Sequence, residues 1–136
     1  ILSATVIAAE IGDLRRFKTA GQFMAFLGLV PSESSSGNSV KRGSLTKTGN
    51  GHVRRILIEA AQHYRHRPVL SAGLRKREEG ISKEVRDISW KAQQRLCSRL
   101  SHFTNSGKPR NKAIVALARE LAGFLWSLGQ VSQLLA

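Results

Sequence analysis

Residues 113–128 read AIVALARELAGFLWSL, and within them Ile114, Leu117, Leu121, Phe124, Leu125 and Leu128 recur at steps of three and four. That spacing winds one apolar stripe along the side of an α-helix. Left in water, such a stripe would cost on the order of several kcal/mol, so it needs apolar partners. Two other stretches supply them. Between Gly51 and Pro68, the residues Val53, Ile56, Leu57, Ala60, Ala61 and Tyr64 line one face, and Pro68 forbids continuation. Between Ser82 and about Thr104, Val85, Ile88, Ala92, Leu96 and Leu100 share a side, while Lys83, Arg86, Lys91, Arg95 and Arg99 lie mostly elsewhere. The three stripes predict an all-α fold, a helical bundle with the 113–128 helix at its centre.

Punctuation residues divide the chain around these helices. Asn105-Ser106-Gly107 separates the last two, Gly80 and Ser82 mark a stop and an N-cap, and a short helix is expected over Ser71–Glu79. At the other end, Leu2, Val6, Ile7 and Ala9 predict a first helix closed by Gly12-Asp13. Thr19 then caps a second helix with Phe23, Met24, Phe26 and Leu27 inward, ending near Gly28 and Pro31. A length of 136 residues suits one domain, 1–136. The chain opens at Ile1 directly in an apolar pattern, which raises the expectation of a larger protein of which this is a part.

Twenty-two Lys and Arg against nine Asp and Glu give a formal charge of +13. A field of that sign concentrates phosphate polyanions, so nucleic acid is the expected partner. Read as sequence, no apolar stretch reaches the roughly 20 residues that span a bilayer, so no membrane partner is expected. The lone Cys97 cannot form an internal disulfide and no secretory signal opens the chain, which fits a cytoplasmic protein.

From Val30 to about Asn50 helical periodicity fails. Pro31, the serines Ser32, Ser34, Ser35 and Ser36, and Gly37, Gly43 and Gly49 predict a long Ser/Gly-rich loop over 30–51. A brief hairpin around Ser44-Leu45-Thr46 is the alternative. Loops of this length inside a domain are commonly functional. No acid lies between Glu33 and Glu59, whereas Lys41, Arg42, Lys47, Arg54 and Arg55 do. With Asn50 and His52, these residues are candidate phosphate contacts at a helix N-terminus. Arg54 and Arg55 oppose the macrodipole of their own helix, and an external anion would relieve that conflict. A serine here could attack a phosphodiester if cations stabilise the developing charge. The plainer alternative is a solvated connector whose cations serve solubility and whose serines are turn residues.

Other features have bland readings. The acids Glu10, Asp13, Glu33, Glu59, Glu78, Glu79, Glu84, Asp87 and Glu120 are scattered, and His63 and His66 lack further ligands, so no metal site is expected in this chain. Trp90 and Trp126 read as packing residues, Cys97 as a semi-buried thiol, and Arg75-Lys76-Arg77-Glu78-Glu79 as a solvated face.

Taken in order, Glu10-Ile11-Gly12-Asp13, Arg16-Phe17, Phe26-Leu27-Gly28-Leu29-Val30-Pro31, Ser36-Gly37, Gly43, Thr46-Lys47-Thr48-Gly49-Asn50 and Val53-Arg54-Arg55 resemble the C-terminal domain of the DEDD insertion-sequence transposases. These are the IS one-ten family, relatives of the Piv and MooV recombinases. The resemblance covers most of residues 2–67, with a looser echo in Gly107-Lys108-Pro109-Arg110-Asn111-Lys112. It implies a composite active site in which an N-terminal RuvC-like domain holds divalent metal, Mg being the expected ion, with four acids. The C-terminal domain then supplies a serine nucleophile. That serine matches Ser36, with Ser35 as the fallback. The resemblance further implies DNA as substrate and a structured guide RNA in some members; because the RuvC-like part is not in this sequence, no recombination by this chain alone is expected, and apolar stripes pairing between subunits predict a homo-oligomeric full-length enzyme. The competing expectation is a non-catalytic basic helical module that binds DNA or RNA.

Overall fold

The computed structural model describes residues 10–29, 31–36, 39–45, 51–66, 68, 72, 73, 76 and 79–131, with 31–36 and 39–45 described as backbone. Its packed body is all-α. Helices α1 (Ala20–Phe26), α2 (Gly51–Ala61), α3 (Lys83–Asn105) and α4 (Arg110–Val131) follow in order, with 3-10 turns at Leu14–Arg16 and Gln62–Arg65. The expected helix over Leu2–Ala9 lies outside the described residues, as does most of Ser71–Glu79.

Helix α4 is the centre, packed against α1, α2, α3 and the Leu14–Arg16 turn. Leu117 is fully buried, joined by Leu96 from α3, Val53 and Leu57 from α2, and Phe23 from α1. Of the stripe named from sequence, Ile114, Leu117 and Leu121 are buried while Phe124, Leu125 and Leu128 are half-buried. The core also uses a second row that apolar periodicity did not single out: Ala113, Ala118, Ala122 and Gly129. Small side chains let neighbouring elements come close. By length and composition α4 could itself cross a membrane, contrary to the sequence expectation that no stretch is long enough. Here 28% of that stretch is buried, Ile114, Leu117 and Leu121 of the stripe among it.

The helix ends were legible. Thr19 accepts from the Gln22 backbone N–H at 3.1 Å, and Gln22 returns a bond to the Lys18 N–H, in the manner of a capping box. Asp13 caps the first 3-10 turn and Ser82 caps α3. Helices α1 and α3 both end in Schellman motifs. Leu29 N–H donates to Met24 C=O and Gly28 N–H to Ala25 C=O; Lys108 N–H and Gly107 N–H repeat the pattern on Phe103 and Thr104. Gly28 and Gly107 sit at φ 70° and 79°, the left-handed conformation these motifs require.

The 30–51 segment departs from expectation. Instead of a long loop it contains an antiparallel ribbon of β1 (Pro31–Ser36) and β2 (Ser39–Leu45). The chain reverses between Ser36 and Ser39 and not around Ser44-Leu45-Thr46. A strand polar on both faces lacks the apolar alternation by which strands are recognised, so its sequence reads as a connector. Pairing nevertheless satisfies backbone groups that a loop would leave to water. Between the Glu33–Arg42 and Pro31–Leu45 pairs, β1 has one residue and β2 has two, a bulge at Gly43-Ser44.

Two contacts lock the ends of the described chain together. Trp126 Nε1 donates to Phe17 C=O at 2.8 Å, and Gln130 Nε2 donates to Leu14 C=O at 3.1 Å. Gly129 is held so close that a Cβ there would sit 2.5 Å from Leu14 Cβ. We expect Gly129→Ala to lower unfolding free energy by about 1–3 kcal/mol through overpacking, despite alanine's better helix propensity. Trp126→Phe should cost about 1 kcal/mol by orphaning the Phe17 carbonyl. Thermal unfolding followed by circular dichroism reads both, and an unchanged midpoint for Gly129→Ala would show that Leu14 moves aside freely.

Candidate nucleic-acid interface

In sequence the ribbon is flanked by two anchored segments. On its N-terminal side Leu27 and Leu29 are buried; on its C-terminal side Val53 is fully buried. Between them, Arg54 Nη1 donates to Leu27 C=O at 3.0 Å. Leu27 is the C-cap of α1, so this guanidinium sits at the negative end of that helix. As a cation in the first turn of α2, Arg54 is expected to meet an anionic partner such as phosphate. One partner is internal, a carbonyl 27 residues upstream, and Arg54 is half-buried.

His52 is also engaged, its Nδ1 meeting Glu10 Oε1 and tying α2 to the helical residues before Gly12. Arg55 differs from both, being exposed and in no ion pair among the described residues. Of the other candidates, Lys47 and Asn50 lie outside the described residues. Ser36, its fallback Ser35, Lys41 and Arg42 lie on the ribbon, where the register pairs Ser36 with Ser39, Ser35 with Val40, Ser34 with Lys41, and Glu33 with Arg42. The strands of this ribbon pack chiefly on each other. Isolated two-stranded ribbons are marginal in water, so a partner along this one would add order.

Several cations that look available in sequence serve the body of the protein. Glu120 Oε1 accepts from Arg99 Nε at 3.1 Å and approaches Arg95 Nη2 at 3.5 Å, bridging α3 and α4. The Arg99 guanidinium lies 4.5 Å from the Phe103 ring centroid, and Lys108 Nζ 5.0 Å from it. Arg16 covers Phe17 and Phe26 at 4.7 and 5.1 Å. Arg15 chelates Asp13 and its guanidinium holds that carboxyl below the usual range. Sequence spacing could not reveal the α3–α4 pairs, since Glu120 lies 21 and 25 residues from its arginines.

Cys97 and Tyr64 lie close enough together to influence each other. Burial pushes the Cys97 thiol up, away from the thiolate a nucleophile needs. Tyr64 is raised likewise, by burial and then by nearby Cys97. Among the described residues, no three His, Cys, Asp or Glu side chains gather as a metal site would require.

The family described as Transposase IS116/IS110/IS902 matches residues 1–75, which take in α1, the ribbon and α2. A protein of Sinorhizobium fredii named as transposase y4qE is 42% identical over 130 residues, covering 96% of this chain and 33% of that protein. One of Pseudomonas aeruginosa named as a family 20 transposase is 34% identical over 93% of this chain and 31% of its own length. The transposase for insertion sequence element IS1111A of Coxiella burnetii is 28% identical over 93% and 29%, respectively. No solved structure matches. This chain spans about a third of the length of these relatives. With more than half of its residues inside the family match, including the two anchored segments and the ribbon between them, the chain belongs to the IS116/IS110/IS902 transposase family.

Proposed function

We propose that this chain is the C-terminal, nucleic-acid-facing domain of a DNA transposase, and that Ser36 is the nucleophile it contributes to a composite active site. The observation that carries this reading is the ribbon: a serine-rich strand paired with a strand bearing Lys41 and Arg42, set in sequence between the buried Leu29 and Val53. In the proposed step Ser36 Oγ bonds to phosphorus as the bond from phosphorus to a bridging deoxyribose oxygen breaks. The hydroxyl proton ends on the departing oxygen. A cation of the ribbon stabilises the extra charge on the phosphoryl oxygens.

DNA is the partner this reading requires, and the charge of +13 supports it. A structured guide RNA would use the same cationic surface. The metal, Mg by this reading, belongs to acids outside the chain, in an assembled homo-oligomeric enzyme of the cytoplasm; the domain alone does not recombine DNA. The alternative, a binding module with no special serine, makes the same contacts without the covalent step.

The two part company at one hydroxyl. In the full-length protein Ser36→Ala should abolish strand transfer and the covalent protein–DNA adduct while leaving DNA binding near the parent affinity. Recombination by that variant would return the chain to the binding-module reading. Ser98→Ala and Ser101→Ala, whose parents line a cleft with Arg65 and His66, serve as controls expected to recombine.

The geometry also separates neighbouring arginines. Arg55→Ala should weaken DNA binding and reduce the slope of log affinity against log salt by about 1, with folding unchanged. Arg54→Ala should act on stability first, losing about 1.5–3 kcal/mol with its charged hydrogen bond to Leu27 C=O. Fluorescence anisotropy across a salt series, beside thermal unfolding, distinguishes them; equal melting temperatures would remove Arg54 from this structural role.

A further inference from the structure

The ribbon register distinguishes its two cations. Directly paired residues of antiparallel strands occupy the same face, and successive residues alternate faces. Ser36 with Ser39 and Ser34 with Lys41 therefore define one face; Ser35 with Val40 and Glu33 with Arg42 define the other. Lys41 stands two residues beyond Ser39, on the diagonal from Ser36. Diagonal positions on one face are separated by about 7–8 Å, a gap within the reach of a long side chain. Arg42 occupies the opposite face, directly paired with the only acid of either strand. A carboxylate opposite an arginine offsets its charge.

We propose that Lys41 is the residue that stabilises the phosphoryl oxygens during attack by Ser36, and that Arg42 is not. This rests on Ser36 being the nucleophile. It also supplies a reason for Ser36 over Ser35 that the run of three serines lacks: Ser36 shares its face with a cation and no acid, whereas Ser35 shares its face with the Glu33–Arg42 pair. The lysine stays protonated throughout. Its ammonium meets charge that grows as the new oxygen–phosphorus bond forms, so its contribution is larger in the transition state than in the bound ground state.

The test uses the full-length protein with DNA at saturating concentration, following the covalent serine–DNA adduct on denaturing gels. Lys41→Gln should slow adduct formation by about a hundredfold or more, the range seen when one charge-stabilising donor is removed. Lys41→Arg should recover part of that rate, and Arg42→Gln should stay near the parent rate. Far-ultraviolet circular dichroism reports whether each variant folds. Equal losses in Lys41→Gln and Arg42→Gln, or a Lys41→Gln defect that vanishes once DNA saturates, would overturn the assignment of Lys41 while leaving Ser36 in place. Adduct formation by Ser36→Ala, together with its loss in Ser35→Ala, would overturn the nucleophile assignment on which this one stands.

Discussion

Helix α4 has to bury a broad apolar side, and everything else in the described body is arranged around that requirement. Its alanines and Gly129 are what make the arrangement close. Gly129 admits Leu14 to within a distance no side chain could share, and Trp126 and Gln130, either side of it in sequence, reach the Phe17 and Leu14 carbonyls. Carbonyls at a helix-poor corner are thereby satisfied by residues more than a hundred positions away. That corner leads straight into α1, so the far end of the chain sets where α1 starts.

From α1 the constraint passes to the ribbon. The Schellman turn at Gly28 reverses the chain and drops Leu29 into the core, while Arg54 reaches back from α2 to the Leu27 carbonyl. In sequence the polar strands lie between these two anchored segments. A ribbon of serines has little apolar area with which to order itself.

Resemblance and geometry contribute different things to the functional reading. The ordered motifs from Glu10 to Arg55 point to the transposase family, and the family match over residues 1–75 agrees. Yet motif residues do not share one role. Arg16 covers phenylalanine rings, Arg54 closes a helix, His52 meets Glu10, and only Arg55 of the described α2 cations stands exposed without an ion pair. A motif marks positions; the charge left over after internal pairing marks those available to a ligand.

What the sequence determined by itself was local. Helix spans follow from apolar steps of three and four, and their ends from Asp13, Thr19, Gly28, Ser82 and Gly107, because caps and left-handed turns depend on residues a few positions apart. Tertiary structure alone decided the rest. The polar ribbon carries no alternating signal, since neither face needs to be apolar, and its strand pairs are set by backbone hydrogen bonds that every residue type offers. The fates of Arg54, Arg95 and Arg99 depended on which carbonyl or carboxylate the fold carried to them from 21 to 27 residues away. Charge is written in the sequence, but its neutralisation is a matter of distance, and distance is what folding creates.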